Sequence, residues 1–301
     1  CGDNYLAGQY VQISIIVYLA LSIPTVLVWN EYIFDIILWF GFDSAVASMG
    51  KSYTQIAAWA MIVDGISEAF SEFLDVTGYP MFAMGLGIIS ASVETMAVAT
   101  VFLLYDDVTL VTVAYIELGM IVIFFLLIVI IPLYMGWIEE YIPGLFWNLS
   151  IWKNRAALGN LMNIALPLSI GSVLAYGEWE VLTIFAAHLG PEEVVAWSIL
   201  GSIWETFEAS TEGIGGSAEV RVGYHLGRGN PGMAKLAAYK SLFVGTCLGI
   251  FVTAILFLIG THLPELFTTD LTIQKGIGEV IPYVGLGNVS MTYGMICWSI
   301  D

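Results

Sequence analysis

Carboxylates inside long apolar stretches are the residues of this 301-residue chain whose types and spacing could do chemistry. They occur in three sets: Asp64, Glu68 and Glu72; Glu178 and Glu180; and Glu205, Glu208 and Glu212. The first set is spaced i, i+4, i+8 and the third i, i+3, i+7, so each set shares one face of a helix. The middle pair points in directions about 200° apart, so we do not expect both to face one cavity.

These acids have no basic partner close by in the sequence. A charged side chain at the centre of a membrane helix costs roughly 2.5–3.5 kcal/mol on insertion scales, and no Lys or Arg lies near the centre of any of these stretches. The acids must therefore be protonated, hydrated in a cavity, or paired with an external cation. A carboxyl group held away from water among like charges can exchange a proton near neutral pH. One such site could take a proton or a cationic substrate, but not both.

The sequence leaves open whether some of these acids are functional or lie outside the membrane. Asp75 and Gly78 mark a helix end close to the first set, so Asp64 and Glu68 could instead belong to a helix that runs past the membrane edge into water. Glu94 and Glu117 are isolated acids in other apolar stretches.

Aromatic side chains stand beside the second and third acidic sets. Tyr176, Trp179 and Trp204 are candidate substrate contacts, and Trp197 and Phe207 lie near them in the sequence. An aromatic face attracts an organic cation by about 0.5–2 kcal/mol. The alternative for most of these rings is packing or anchoring at the membrane interface.

The composition indicates membrane helices as the elements that position these residues. Hydrophobic residues make up 58% of the chain, charged residues 11%, and the mean hydropathy is +0.86. The net charge of −18 disfavours binding of the chain as a whole to nucleic acid and to anionic lipid, and the scattered cysteines and histidines predict neither a disulfide framework nor a metal site. Apolar runs predict eight helices near 11–41, 46–74, 79–104, 108–135, 160–188, 192–218, 232–260 and 272–300.

Basic residues predict which ends of these helices face the cytoplasm. Two connections separated by two crossings hold six of the eight: Lys153, Arg155, Arg221, Arg228, Lys235 and Lys240. The positive-inside rule makes that side cytoplasmic, with Lys51 and Lys275 on the other. The sequon Asn148-Leu149-Ser150 should then stay unglycosylated.

Two glycine-spaced segments suggest an internal repeat. Gly2 and Gly8 are followed by Gln9, and Gly223 and Gly229 are followed by Asn230, and both segments read as connections on the same side of the membrane.

The sequence resembles the multidrug and toxic compound extrusion (MATE) transporters over nearly its whole length. Residues 1–9 are similar to the C-G-Q-A-x-G-A-G motif after that family's second helix, and residues 221–231 to the R-V-G-N-x-L-G-A-G-[ND] motif after its eighth. Residues 165–167 and 178–180 resemble the start and acidic centre of its seventh helix, and residues 266–270 the loop after its ninth.

The resemblance implies an all-α polytopic membrane protein with a MATE-like two-bundle transporter fold, truncated at both ends so that it holds the third to tenth of twelve helices. Residues 1–140 would form the remainder of the N-terminal bundle, 141–159 a cytoplasmic connection, and 160–301 part of the C-terminal bundle. Glu180 falls on the second glutamate of the family's E-W-W-x-x-E pattern, whereas Ala175 occupies the first position. Glu178 stands one turn after Ala175 on the same face, so the acid is displaced.

The function implied is secondary antiport: export of organic cations or other small compounds in exchange for protons, by a monomer in the plasma or vacuolar membrane. The expected coupling acids are Glu180, Glu178, Glu205, Glu208, Glu212, Asp64 and Glu68. No cofactor is expected, and the absence of a phosphate-binding loop disfavours direct ATP drive. Sodium coupling, an anionic substrate and a lipid-linked precursor flippase are alternatives, although a flippase should line its cavity with Arg and Lys. A membrane-embedded enzyme is disfavoured because Asp64 is the only aspartate deep inside a span before the C-terminal residue.

Overall fold

Long α-helices account for nearly all of the structure, a computed structural model that describes residues 3–105, 107–146, 154–260 and 262–300. The helices of these ranges are α1 (Asn4–Trp39), α2 (Ser44–Thr77), α3 (Pro80–Leu104), α4 (Leu110–Tyr134), the short α5 (Ile142–Phe146), α6 (Arg155–Leu189), α7 (Pro191–Gly227), α8 (Pro231–Ile259) and α9 (Leu271–Ile300). Short 3-10 turns precede α5 and α9, at Glu139–Tyr141 and Leu263–Leu266. The described ranges contain no strand, so the predicted all-α architecture is confirmed.

All eight predicted long helices are present, and three of their boundaries were wrong by five residues or more. One of these is the start of the fifth predicted helix, α6, which begins at Arg155 rather than near 160. The first helix begins at Asn4 rather than near 11, where the side chain of Asp3 caps it by accepting the Leu6 N–H at 2.9 Å. The sixth predicted helix, α7, continues to Gly227 rather than ending near 218, since polar side chains do not stop a helix outside the apolar layer. It ends where Gly229 adopts a left-handed conformation with φ of +68° and Pro231 begins the next helix.

The two glycine motifs adopt different structures. Gly223 lies in the last turns of α7 and Gly229 in the turn before α8, as a connection requires. Gly8 instead lies buried inside α1, so its segment is helical and not a connection. The prediction that both motifs form connections was therefore wrong for the first one.

Within the described ranges, five helices are long and apolar enough to cross a membrane by length and composition: α1, α3, α4, α6 and α8. The remaining long helices are α2, α7 and α9. Of these, α2 and α7 carry several charged residues each, whereas α9 carries two, Lys275 and Glu279, and is rich in glycine. Two of these, α2 and α7, hold the acidic sets at 64–72 and 205–212. The functional candidates thus concentrate on the helices that are least suited to face lipid on all sides.

The chain divides inside α6 into two compact units, Cys1–Glu178 and Trp179–Asp301. In the first unit, α2 packs against α1, α3 and α4. Its apolar core consists of Phe70, Phe73, Leu74, Ala83, Ile128, Ile138 and Leu145. Tyr79 stacks on Trp137 with a centroid distance of 4.3 Å, which fixes the start of α3 against the end of α4.

The segment after α4 is held against the first helix by close backbone contact. Gly8 of α1 faces backbone atoms of Tyr141 and Leu145, and a Cβ on Gly144 would overlap the carbonyl oxygen of Tyr5. Gln12 adds a side-chain hydrogen bond, donating its Nε2–H to the carbonyl oxygen of Leu145 at 2.8 Å. The described part of the predicted connection at 141–159 therefore begins as a structured element packed on α1.

In the second unit, α9 packs against both α7 and α8. A Cβ on Gly249 of α8 would lie 3.0 Å from Oγ1 of Thr292 on α9, and one on Gly245 would overlap Cδ1 of Ile296. This Gly-x-x-x-Gly pair lets two helix backbones approach closely, a packing common between membrane helices.

A buried polar network ties the same three helices together. Asn288 of α9 donates from Nδ2 to Oγ1 of Thr253 at 3.2 Å and to the carbonyl oxygen of Gly249 at 3.3 Å, both on α8. The hydroxyl groups of Thr211 on α7 and Thr292 on α9 are 3.2 Å apart. These bonds fix the register of α7, α8 and α9 and so hold the acidic face of α7 in a defined orientation.

Candidate functional site

A stack of three tryptophans joins α6 to α7 and defines one end of the acidic face of α7. The ring of Trp179 lies 4.1 Å from that of Trp197 and 6.5 Å from that of Trp204, with interplanar angles of 26° and 30°. Trp197 and Trp204 are two helical turns apart, which is about 10.5 Å of rise. The sum of the two centroid distances is close to that rise, so the ring of Trp179 lies between the rings of Trp197 and Trp204. Its ring faces are occupied by neighbours, which favours packing over direct substrate contact.

The acidic set of α7 continues the line of these tryptophans. Glu208 follows Trp204 by one turn, and the two side chains lie close enough to interact. Its side chain is half-buried, whereas Glu205 and Glu212 are exposed. Both of these carboxylates lie close enough to repel that of Glu208. The arrangement places one half-buried carboxyl group between two like charges and beside an aromatic side chain.

The acids of α6 lie on two different sides of that helix. Trp179 and Thr183 face α7, where Oγ1 of Thr183 accepts the indole N–H of Trp197 at 2.9 Å. At 100° per residue, Glu180 lies about 80° to one side of that contact line and Glu178 about 120° to the other. Both carboxylates are exposed.

Glu180 does not extend the α7 cluster. Glu180 lies ten residues before the turn at Gly190 and Glu208 eighteen residues after it. In an antiparallel hairpin this difference of eight residues corresponds to about 12 Å of helix rise. Tyr176 shares the face of Glu180 at i and i+4 and is 59% exposed. Tyr176 and Glu178 precede the boundary between the two units.

The first unit contains a second acidic face, on α2. Asp64 and Glu68 are both exposed, and the carboxylates of Asp64, Glu72 and Asp75 all lie within electrostatic range of Glu68. Tyr18 of α1 packs over this face, where its hydroxyl group donates to the carbonyl oxygen of Met61 at 2.7 Å. The predicted sharing of one face is consistent with this arrangement.

Glu94 and Glu117, which looked isolated in the sequence, are brought together with Asp64. The carboxylates of Glu117 on α4 and Asp64 on α2 both interact electrostatically with that of Glu94 on α3. Tyr53 of α2 donates its hydroxyl hydrogen to Oε2 of Glu117 at 3.4 Å. The sequence did contain a signal for the proximity of Asp64 and Glu94. Asp64 lies fifteen residues before Tyr79 at the α2–α3 turn and Glu94 fifteen residues after it, so an antiparallel pair of helices places them at the same level.

No group of three or more His, Cys, Asp or Glu side chains in the described ranges could hold a metal ion. The sequon at 148–150 and Lys153 lie outside the described residues, as does the side chain of Ala175.

Comparisons with known proteins agree with this architecture. The family model described as MatE matches residues 2–101 and 167–300. Protein DETOXIFICATION 17 of Arabidopsis thaliana is 25% identical over 96% of this chain and 61% of its own length. Multidrug and toxin extrusion protein 1 of Homo sapiens is 24% identical over 48% of this chain and 25% of its own length.

Solved structures show the same fold. The crystal structure of the eukaryotic MATE transporter AtDTX14 superposes with a TM-score of 0.82 at 16% identity, covering 99% of this chain and 66% of that one. The chain thus spans about three-fifths of the length of the curated relatives that match nearly all of it. Because the family model matches well over half of its residues, the chain belongs to the MatE family of multidrug and toxic compound extrusion transporters, and it is a multi-pass integral membrane protein of a transporter family rather than an enzyme.

Proposed function

We propose that this protein is a secondary antiporter that exports organic cations or other small xenobiotic or metabolite compounds in exchange for protons. The observation that carries the proposal is the environment of Glu208: half-buried, beside the Trp204 side chain, and placed between Glu205 and Glu212. A carboxyl group in this setting gains from either a proton or an organic cation, because each relieves the repulsion of the neighbouring charges.

Mutual exclusion at such a site couples the two fluxes. If a proton must leave before a cation binds, each transport cycle exchanges one for the other, and a proton gradient drives export. Alternating access would come from rocking of the two helical bundles, residues 1–140 and 160–301, joined by the connection at 141–159 in a monomer. The plasma membrane and the vacuolar membrane both maintain a proton gradient suitable for this exchange.

The names of the relatives support the substrate class. Multidrug and toxin extrusion protein 1 is named for export of drugs and toxins, and the DETOXIFICATION proteins for detoxification. In this chain the exposed ring of Tyr176 and the free parts of the Trp204 ring are the candidate cation contacts, while Trp179 supports Trp204 by stacking.

The proposal ranks the acids by their surroundings. Glu208 is the first coupling candidate, with Glu205 and Glu212 as modulators of its charge. Glu180 and Glu178 are the candidates on α6 suggested by the family pattern. Asp64 and Glu68 form a separate candidate position in the first unit, to which the proximity of Glu94 adds support.

The test is transport by the purified full-length protein in liposomes. The measurement is uptake of a fluorescent organic cation driven by an imposed pH gradient, compared between wild type and the variants Glu208→Gln, Glu180→Gln and Glu178→Gln. We expect Glu208→Gln to abolish gradient-driven uptake, while Glu192→Gln, an exposed acid in the first turn of the same helix, behaves as wild type.

The other outcomes separate the remaining candidates. Loss of coupling only in Glu180→Gln or Glu178→Gln would move the coupling acid to α6. Uptake that ignores the pH gradient in every variant would contradict proton coupling, and a sodium gradient and an organic anion would then be tested in its place. A lipid-linked precursor flippase is less favoured because four of the six cytoplasmic-side basic residues lie within 221–240, at the ends of α7 and α8 that meet at their turn, rather than near the centres of the helices.

A further inference from the structure

The ends of α7 and α8 that meet at their turn form a basic surface in an otherwise acidic protein. Arg221, Arg228, Lys235 and Lys240 are all exposed there. No Asp or Glu occurs in the sequence between Glu219 and Glu265, so this stretch is positive within a chain of net charge −18. In the part of the chain that the structure describes, none of these four side chains takes part in a salt bridge. For the rest of this section the four residues are called the basic turn.

The position of Lys240 along α8 sets the depth of this surface in a bilayer. Residues 241–259 are uncharged and complete α8, and at 1.5 Å per residue they span about 28 Å, close to the hydrocarbon thickness of a membrane. Lys240 therefore lies at the edge of the hydrocarbon layer. Lys235, five residues earlier, lies about 7.5 Å further out, within the layer of lipid headgroups.

Aromatic rings hold two of the cations at this level. The guanidinium carbon of Arg228 lies 4.6 Å from the ring centroid of Tyr224, and Nζ of Lys235 lies 5.8 Å from that of Tyr239. Both tyrosine rings are more than half exposed, as is typical of tyrosines at the membrane interface. A cation resting on a ring face keeps N–H groups free to donate to another acceptor, and phosphate oxygens are the acceptors that a headgroup layer offers.

We propose that the basic turn binds the headgroups of anionic phospholipids in the cytoplasmic leaflet. The occupant is assigned by charge and depth: four unpaired cations stand where phosphate and carboxylate groups of lipids such as phosphatidylserine are concentrated. The inference relies on the cytoplasmic orientation of this turn but not on the identity of the transported compound. Its failure would leave proton-coupled export untouched.

The experiment measures lipid binding by the full-length protein in detergent micelles. Dansyl-labelled phosphatidylserine is titrated, with energy transfer from the protein's tryptophans as the signal, against dansyl-labelled phosphatidylcholine with the same acyl chains. Wild type should bind the serine lipid more tightly. Removing both lysines in Lys235→Ala/Lys240→Ala should weaken that binding about 25-fold, since each basic side chain near an anionic surface contributes about fivefold.

A charge-matched variant provides the control. Lys51→Ala/Lys275→Ala also removes two positive charges, but from the opposite side of the membrane, and should bind as wild type does. Lys235→Arg/Lys240→Arg should retain binding. Thermal unfolding of every variant checks that the fold is kept.

Three results would overturn the inference. They are equal binding of the two lipids by wild type, equal loss in the matched control, and full competition by soluble glycerophosphoserine. The last result would assign the basic turn to a free anion in the cytoplasm rather than to a lipid.

Discussion

Removing one atom of Ile296 should relieve the steric clash that Gly245→Ala would create inside the second unit. Gly245 of α8 is buried against Ile296 of α9, and a Cβ added at Gly245 would overlap Cδ1 of Ile296. The next nearest atoms to that Cβ are Cγ1 of Ile296 at 3.4 Å and Cγ2 of Ile214 at 3.6 Å, which are ordinary contacts. Ile296→Val removes Cδ1 alone, so it should make room for the methyl group of Gly245→Ala.

The magnitude follows from overpacking and cavity formation. Gly245→Ala should cost about 1–3 kcal/mol through the clash, partly offset by about 1 kcal/mol of helix propensity. Ile296→Val should cost about 0.5–1.5 kcal/mol because Ile296 is fully buried. The double variant should be nearly as stable as wild type. The predicted coupling between the two substitutions is therefore about 1–3 kcal/mol, in the stabilising direction.

Unfolding in mixed detergent–SDS micelles, followed by tryptophan fluorescence, gives the four free energies of the cycle. Gly294→Ala is the matched control, since a Cβ at that position on the same helix as Ile296 meets nothing within 4 Å. It should be at least as stable as wild type. Effects that add within about 0.5 kcal/mol would refute the close α8–α9 packing, because independent sites add within that limit.

Three further substitutions probe other parts of the structure. Trp197→Phe keeps the aromatic stack but removes the hydrogen bond to Thr183, and should lower the free energy of unfolding by about 0.5–1.5 kcal/mol in the same assay; no change would mean that the bond is not formed. Asn288→Ala removes two hydrogen bonds to α8 and should cost about 1–3 kcal/mol, and a cost below 0.5 would contradict the buried network. Gly144→Val should separate α5 from α1, because its Cβ would overlap the carbonyl oxygen of Tyr5. Faster proteolysis of the segment after α4 would report this separation. Unchanged digestion would argue against the contact between α5 and α1.

Hydropathy alone predicted the number and type of the long helices, since a bilayer sets one length and one composition for each crossing. The helical period correctly grouped Glu205, Glu208 and Glu212 on one face. The end of α7 was misplaced because Arg221 and its polar neighbours look like a loop in a hydropathy profile, yet they are compatible with a helix that leaves the apolar layer.

Most contacts between helices could not be predicted from the sequence. Trp179 was predicted as a substrate contact on its residue type, whereas its insertion between two rings of α7 depends on how α6 packs. Glu94 and Glu117 looked isolated because they lie on different helices. The choice of Glu208 among the acids likewise required its partial burial and its position beside Trp204, which a single sequence does not report.

Proton release on substrate binding tests the central claim most directly. The full-length protein in detergent and weak buffer, near neutral pH, is mixed with a saturating organic cation while a pH indicator reports released protons. If one carboxyl group takes either a proton or a cation, wild type should release up to one proton per cation bound and Glu208→Gln should release none. Binding without proton release in wild type, or undiminished release in Glu208→Gln, would contradict Glu208 as the site of exchange.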